Sequence, residues 1–141
     1  MLARSWWAWV AALSALILLL VFSPVLWSVV ETRKSAYGFF AEAKAGRSLF
    51  QILEVYPEWI QLRLGDCGYF IRKDGLLTWT HPLKTAVLER FEDALPELAA
   101  LNCFSGGSVR YSGGYSYYAT VHFALDPQAN VTSALPPAYQ D

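Results

Sequence analysis

The chain has 141 residues, with eleven Lys and Arg against twelve Asp and Glu and a formal net charge of −1, enough for one small domain and an attached segment but not for two cores. From Glu31 onward ten basic residues mix with twelve acidic ones without a run of either sign. That balance excludes a nucleic-acid partner and a polybasic lipid-binding patch.

Between Ser5 and Val30 there are twenty-six residues without a charged side chain. The stretch from Trp7 to Trp27 would cover about 30 Å as a helix, the thickness of a bilayer core, so residues 1–30 read as a transmembrane anchor. Trp6, Trp7 and Trp9 at one end and Trp27 at the other would sit at the two membrane interfaces, where an indole ring is half buried and its N–H finds a partner. A cleaved signal peptide is the rival reading. The apolar run exceeds the roughly 7–15 residues of a signal h-region, and the sites around Ser23 and Ser28 lack the small-x-small pattern of peptidase cleavage. Pro24 removes one helical hydrogen bond and is expected to kink the outer third. Ala8 with Ala12 and Ala11 with Ala15 are small residues four apart, a weak signal for close helix approach.

Orientation signs conflict. Arg4 on the short side is outnumbered by Arg33, Lys34, Lys44 and Arg47 on the long side, which favours a cytoplasmic domain. The two cysteines, Cys67 and Cys103, form an even pair in a small tyrosine-rich domain, the pattern of an oxidising compartment, and this decides for an exported domain. A disulfide between them is expected, joining a strand turn to a helix end.

In chain order, Phe39, Ala43, Gly46, Phe50 and Leu53 recur at helical spacing, predicting an amphipathic juxtamembrane helix over residues 36–55 that Pro57 ends. Ile60, Leu62 and Leu64 alternate with Gln61 and Arg63 as in a strand with one buried face, and Gly65-Asp66 turns the chain. Tyr69 to Arg72 and Leu76 to Thr80 flank Lys73-Asp74-Gly75, a strong hairpin signal. His81-Pro82 is expected to open a second helix, with Leu83, Val87, Phe91, Leu95 and Leu98 on one face and a kink at Pro96. Val109 to Tyr111, a Gly113-Gly114 turn and a strand from Tyr115 to Leu125 follow, the last expected to bury one face through Tyr117, Ala119, Val121, Phe123 and Leu125. Residues 126–141, with three prolines and few large apolar side chains, read as a flexible tail that carries a sequon at Asn130-Val131-Thr132.

The sum is an α+β protein: one transmembrane helix, then an α-β-β-α-β-β antiparallel-sheet domain over 31–125, of the ferredoxin-like kind in permuted order. A short N-terminus, one span, a juxtamembrane helix and that element order resemble the inner-membrane alignment subunits of type II secretion and type IV pilus machines. The resemblance implies an assembly role. The chain departs from those families in lacking a long basic N-terminus and a coiled coil after the span. A pilin reading would need a basic leader ending in glycine and an early glutamate, and Met1 to Val10 supplies neither.

Sequence signals for chemistry are thin. Neither a nucleophile elbow, a phosphate-cradling glycine loop nor a Cys-x-x-Cys motif is present, so no enzyme and no cofactor is expected. Zinc would have to recruit His81 and His122 with both cysteines, without the close ligand pair that structural sites use. His81 reads as a cap or loop residue. His122 is out of phase with Val121 and Phe123 and should project from the outer face of the last strand. Tyr111, Tyr115, Tyr117 and Tyr118 place rings on both faces of the terminal hairpin, and with His122 they form the candidate partner surface. The expectation is a non-enzymatic, single-pass inner-membrane protein whose domain, outside the cytoplasm, binds other proteins of a membrane complex. An anchored ligand- or glycan-binding or inhibitor module using the tyrosine hairpin is the alternative, and a thiol-redox or zinc protein the third reading.

Overall fold

The computed structural model describes residues 2–81, 84–114 and 117–140. Helix α1 (Leu2–Lys44) runs unbroken for 43 residues, through Pro24, a length of about 65 Å. The apolar segment and the start of the juxtamembrane helix are therefore one element. The helix ends because Gly46 adopts φ +77°, in the left-handed region that terminates helices, and its N–H bonds back to the Ala43 carbonyl. What the spacing predicts as one helix over 36–55 is consequently two, with α2 (Leu49–Val55) following the break.

Eight strands form one antiparallel sheet: β1 (Trp59–Leu64), β2 (Tyr69–Lys73), β3 (Leu76–His81), β4 (Lys84–Leu88), β5 (Gly106–Tyr111), β6 (Tyr118–Leu125), β7 (Val131–Ala134) and β8 (Ala138–Gln140). Their lateral order is β4-β3-β2-β1-β5-β6-β7, and β8 pairs with the other end of β6. Two meanders thus meet at β1 and β5, with a 3-10 turn (Phe91–Ala94) and α3 (Leu95–Ala100) bridging them in sequence. The chain is α+β, but four strands follow each helical part, where the sequence pattern predicts two or three after the first and two after the second.

Two differences from the sequence reading account for the extra strands. The helix expected from His81 is instead the β3–β4 hairpin: Thr85 and Val87 face out, while Ala86 and Leu88 are partly buried. Pro82 and Leu83 lie outside the described residues. Pro96 sits in the first turn of α3, where its missing N–H is unneeded, so it starts a helix and does not kink one. The segment from Asp126, expected to be a flexible tail, closes the sheet edge as β7 and β8. Its turn is built by the Asp126 carboxylate, which accepts 2.9 Å hydrogen bonds from the N–H groups of Asn130 and Gln128. Those bonds, Asn130 first, hold the carboxyl below its usual range.

The core lies between the helices and one face of the sheet. Phe39, fully buried, packs its ring 6.3 Å from Tyr111 and 5.7 Å from Phe123, and burial of such a side chain contributes about 1.5–3 kcal/mol. Phe91 joins Phe50, Trp59 and Phe70 in a second aromatic group under α2.

Candidate functional site

Helix α1 changes character at Ser28. Up to Trp27 the side chains described stand open except for the half-buried Val10 and Val25, with Trp6, Trp7, Trp9 and Trp27 each at least 60% exposed. From there Ser28, Thr32, Ala36, Phe39 and Ala43, spaced three or four apart, form a buried stripe against the sheet. The hairpin between β5 and β6 meets this stripe at its first residue. The Gly113 N–H donates to Thr32 Oγ1 at 2.8 Å, and a Cβ on Gly113 would come within 2.3 Å of Ser28 Oγ, so glycine is required for the approach.

One turn further along, Arg33 Nε donates to the Tyr117 hydroxyl at 2.8 Å and its guanidinium lies 4.7 Å from the Tyr139 ring centroid. The Tyr117 and Tyr139 rings stack at 6.1 Å with an 11° interplanar angle, and Tyr37 flanks Tyr139 at 6.2 Å. Burial pushes the Tyr139 hydroxyl up to about 12.

These contacts correct part of the candidate partner surface. Tyr111 is 1% exposed, with its hydroxyl donating 3.0 Å to the Tyr56 carbonyl, and burial pushes that hydroxyl well above its ordinary value. Tyr111 points inward with Val109 on β5, and Tyr117 is buried under Arg33, so both rings hold the domain to α1 and are not open to a partner. Tyr118 is half-buried and His122 exposed, both on the outer face of β6. Tyr115 lies outside the described residues.

Cys67 and Cys103 form the expected disulfide, with Cα atoms 5.6 Å apart, joining the β1–β2 turn to the residues just past α3. Both are buried, and Trp79 Nε1 donates to the Cys67 carbonyl at 3.0 Å. As a disulfide the pair offers no thiolate to a metal. Among the described residues no group of three His, Cys, Asp or Glu side chains converges.

Beside a groove of about 640 Å³ at the β1–β2 turn, lined by Arg63, Asp66 and His81 among others, two further concavities open among the described residues. A cleft of about 590 Å³ has Trp59, Leu77 and Phe91 in its floor and Arg72, Arg90 and Glu54 at its rim. Arg72 partly fills it, with its guanidinium 4.4 Å from the Trp59 ring centroid and a hydrogen bond to the Pro57 carbonyl. The second, about 240 Å³, lies on the sheet face away from the helices, between Gln61, Arg63, Ser108, Arg110, Thr120 and His122. Arg110 is held there by Thr120 Oγ1 at 3.4 Å and by the Tyr118 ring at 5.4 Å. No protein family, curated protein or solved structure matches the chain.

Of these groups, the sequence places His122 on the outer face of its strand and pairs the two cysteines. The sequence does not mark Arg63 and Arg110 as neighbours, although the alternation puts Arg63 on the exposed face of its strand. The Arg33, Tyr37 and Tyr139 cluster was also missed, because Tyr139 lay in a segment read as a tail.

Proposed function

We propose that the chain is a single-pass inner-membrane protein whose exported domain binds other proteins as an accessory or assembly subunit of a membrane complex. The observation that carries the reading is the division of α1: a window of mean hydropathy 2.4 with none of it buried, continuing without a break into a stripe that is part of the domain core. A segment this apolar and this uncovered is suited to lipid. Its docking at Ser28 favours a retained anchor, since cleavage near Val29 would remove the residue on which Gly113 rests. The buried disulfide favours the exported side. The tyrosine-hairpin alternative loses two of its rings, Tyr111 and Tyr117, to the interior.

The test is topological. Alkaline phosphatase fused after Asp141 should be active, the same reporter after Ser5 inactive, and the chain should resist alkaline extraction with its N-terminus still at Met1 or Leu2. The reverse reporter pattern, or a mature chain beginning near Val29, would overturn the assignment.

A further inference from the structure

The near-neutral net charge conceals a segregation. None of the described strands contains Asp or Glu, whereas they contain Arg63, Arg72, Lys73, Lys84 and Arg110. The carboxylates of the described residues lie in helices, turns and loops. Arg72 is spent over Trp59 on the inner side, but Arg63 and Arg110 share the outer face. Register fixes their spacing: Arg63 pairs with Ser108 and Gln61 with Arg110 across β1 and β5, which makes the two arginines diagonal neighbours about 7–8 Å apart, their Cβ atoms somewhat closer. On the next strand His122 pairs with Ser108 and Thr120 with Arg110, so the imidazole completes a triangle of nitrogen-bearing side chains around Ser108. The Arg63 guanidinium makes no ion pair among the described residues. Asp66, the carboxylate in the adjoining β1–β2 turn, lines the neighbouring groove and forms no salt bridge with it.

We propose that this outer-face groove binds an extended acidic segment of a partner protein, whose alternate carboxylates engage Arg63 and Arg110. The inference rests on the protein-binding role above and names the partner's chemistry. In an extended chain, residues two apart project to the same side about 6.6–6.8 Å from each other, which matches the diagonal spacing of the two arginines. Each guanidinium can take one carboxylate in a bidentate pair. Ser108, Thr120, Gln61 and Gln140 line the same groove and supply donors and acceptors for the intervening peptide groups. Bilayer headgroups are less well matched. Phe39, whose ring meets Phe123 beside His122, is twelve residues past Trp27, so the groove stands about 18 Å along the helix beyond the interfacial tryptophan.

The test uses the full chain in neutral phosphatidylcholine nanodiscs and a short fluorescein-labelled peptide alternating glutamate with threonine, followed by fluorescence anisotropy. Binding should weaken with salt and vanish for the peptide with glutamine at each glutamate position. Arg63→Gln and Arg110→Gln should each weaken it about tenfold, as expected for loss of a charge-assisted pair. Lys34→Gln, which removes an exposed charge on α1, should leave it unchanged. Circular dichroism melts confirm that the variants are folded. Binding by R63Q and R110Q as tight as by the parent chain, or binding of the neutral peptide as tight as that of the acidic one, overturns the proposal. So does binding of phosphatidylglycerol vesicles that depends on both arginines while the peptide fails to bind. Peptide binding by a chain that alkaline extraction releases from membranes would uphold the groove and refute the anchor.

Discussion

Replacing Gly113 with alanine strains the joint between α1 and the sheet. The new Cβ would lie 2.3 Å from Ser28 Oγ, 3.0 Å from the Ser28 carbonyl oxygen and 3.1 Å from its Cα. The hydroxyl can rotate away, but the two backbone atoms belong to a helix and move only if helix and hairpin separate by a few tenths of an ångström. Overpacking of this kind costs about 1–3 kcal/mol. Separation also stretches the 2.8 Å bond from the Gly113 N–H to Thr32 Oγ1, worth about 1 kcal/mol. At roughly 4–8 °C per kcal/mol for a domain of this size, G113A should melt on the order of 10 °C below the parent, read by circular dichroism of the full chain in detergent micelles. The Ser28 hydroxyl is buried without a hydrogen-bond partner among the described residues, so Ser28→Ala alone should change stability little. Combined with G113A it should recover part of the loss, because the closest contact disappears while the backbone contacts stay. A G113A protein that melts with the parent, or a double variant no more stable than G113A, would refute the close approach of hairpin and helix.

Two further outcomes follow from the buried groups. Replacing Cys67 and Cys103 together by serine should cost about 3–4 kcal/mol in the chain-entropy account of a loop closed over a separation of 36 residues, measured by urea unfolding, and unchanged stability would show the pair to have no structural role. Tyr139, pushed up to about 12, and Tyr111, raised further, keep their protons in the folded domain where an unfolded tyrosine, near 10, loses them. Their contribution is therefore fully present below pH 10 and is lost as the pH rises towards 12 and beyond. Unfolding free energy should fall across that range and fall less steeply in Tyr111→Phe and Tyr139→Phe, and a flat profile for the parent would exclude both groups.

The features legible in the sequence were those set by local chemistry. Asp74 and Gly75 take φ values of 52° and 79°, the positive pair that an Asp-Gly hairpin turn requires. His122 projects outward because strand period alone fixes its phase. The β4 strand was not legible, since apolar residues four apart at Leu83, Val87 and Phe91 satisfy two strand periods as well as about one helical turn. Nor was the C-terminal edge. β7 and β8 are recruited by backbone hydrogen bonds to β6, and Val131 and Tyr139 provide most of their packing without an apolar run. The inward Tyr111 has a strand phase that could be read, but its covering by Phe39 depends on where α1 docks. Arg63 and Arg110 become neighbours only through the pairing of β1 with β5, which the alternation within either strand does not encode.

An uninterrupted α1 has a mechanical consequence. Seventeen residues separate Trp27 from Lys44, about 25 Å of rod with no hinge before Gly46. In a bilayer, a tilt of about 20°, ordinary for a single helix, would swing the far end of that rod sideways by about 9 Å. Rotation about the axis would turn the sheet by the same angle, because the stripe from Ser28 to Ala43 fixes the sheet to one side of the helix. If α1 spans a bilayer as proposed, the domain would behave as a pointer whose heading is set inside the membrane, and changes in bilayer thickness or in the packing of neighbouring helices would redirect its outer face without altering any contact within the domain.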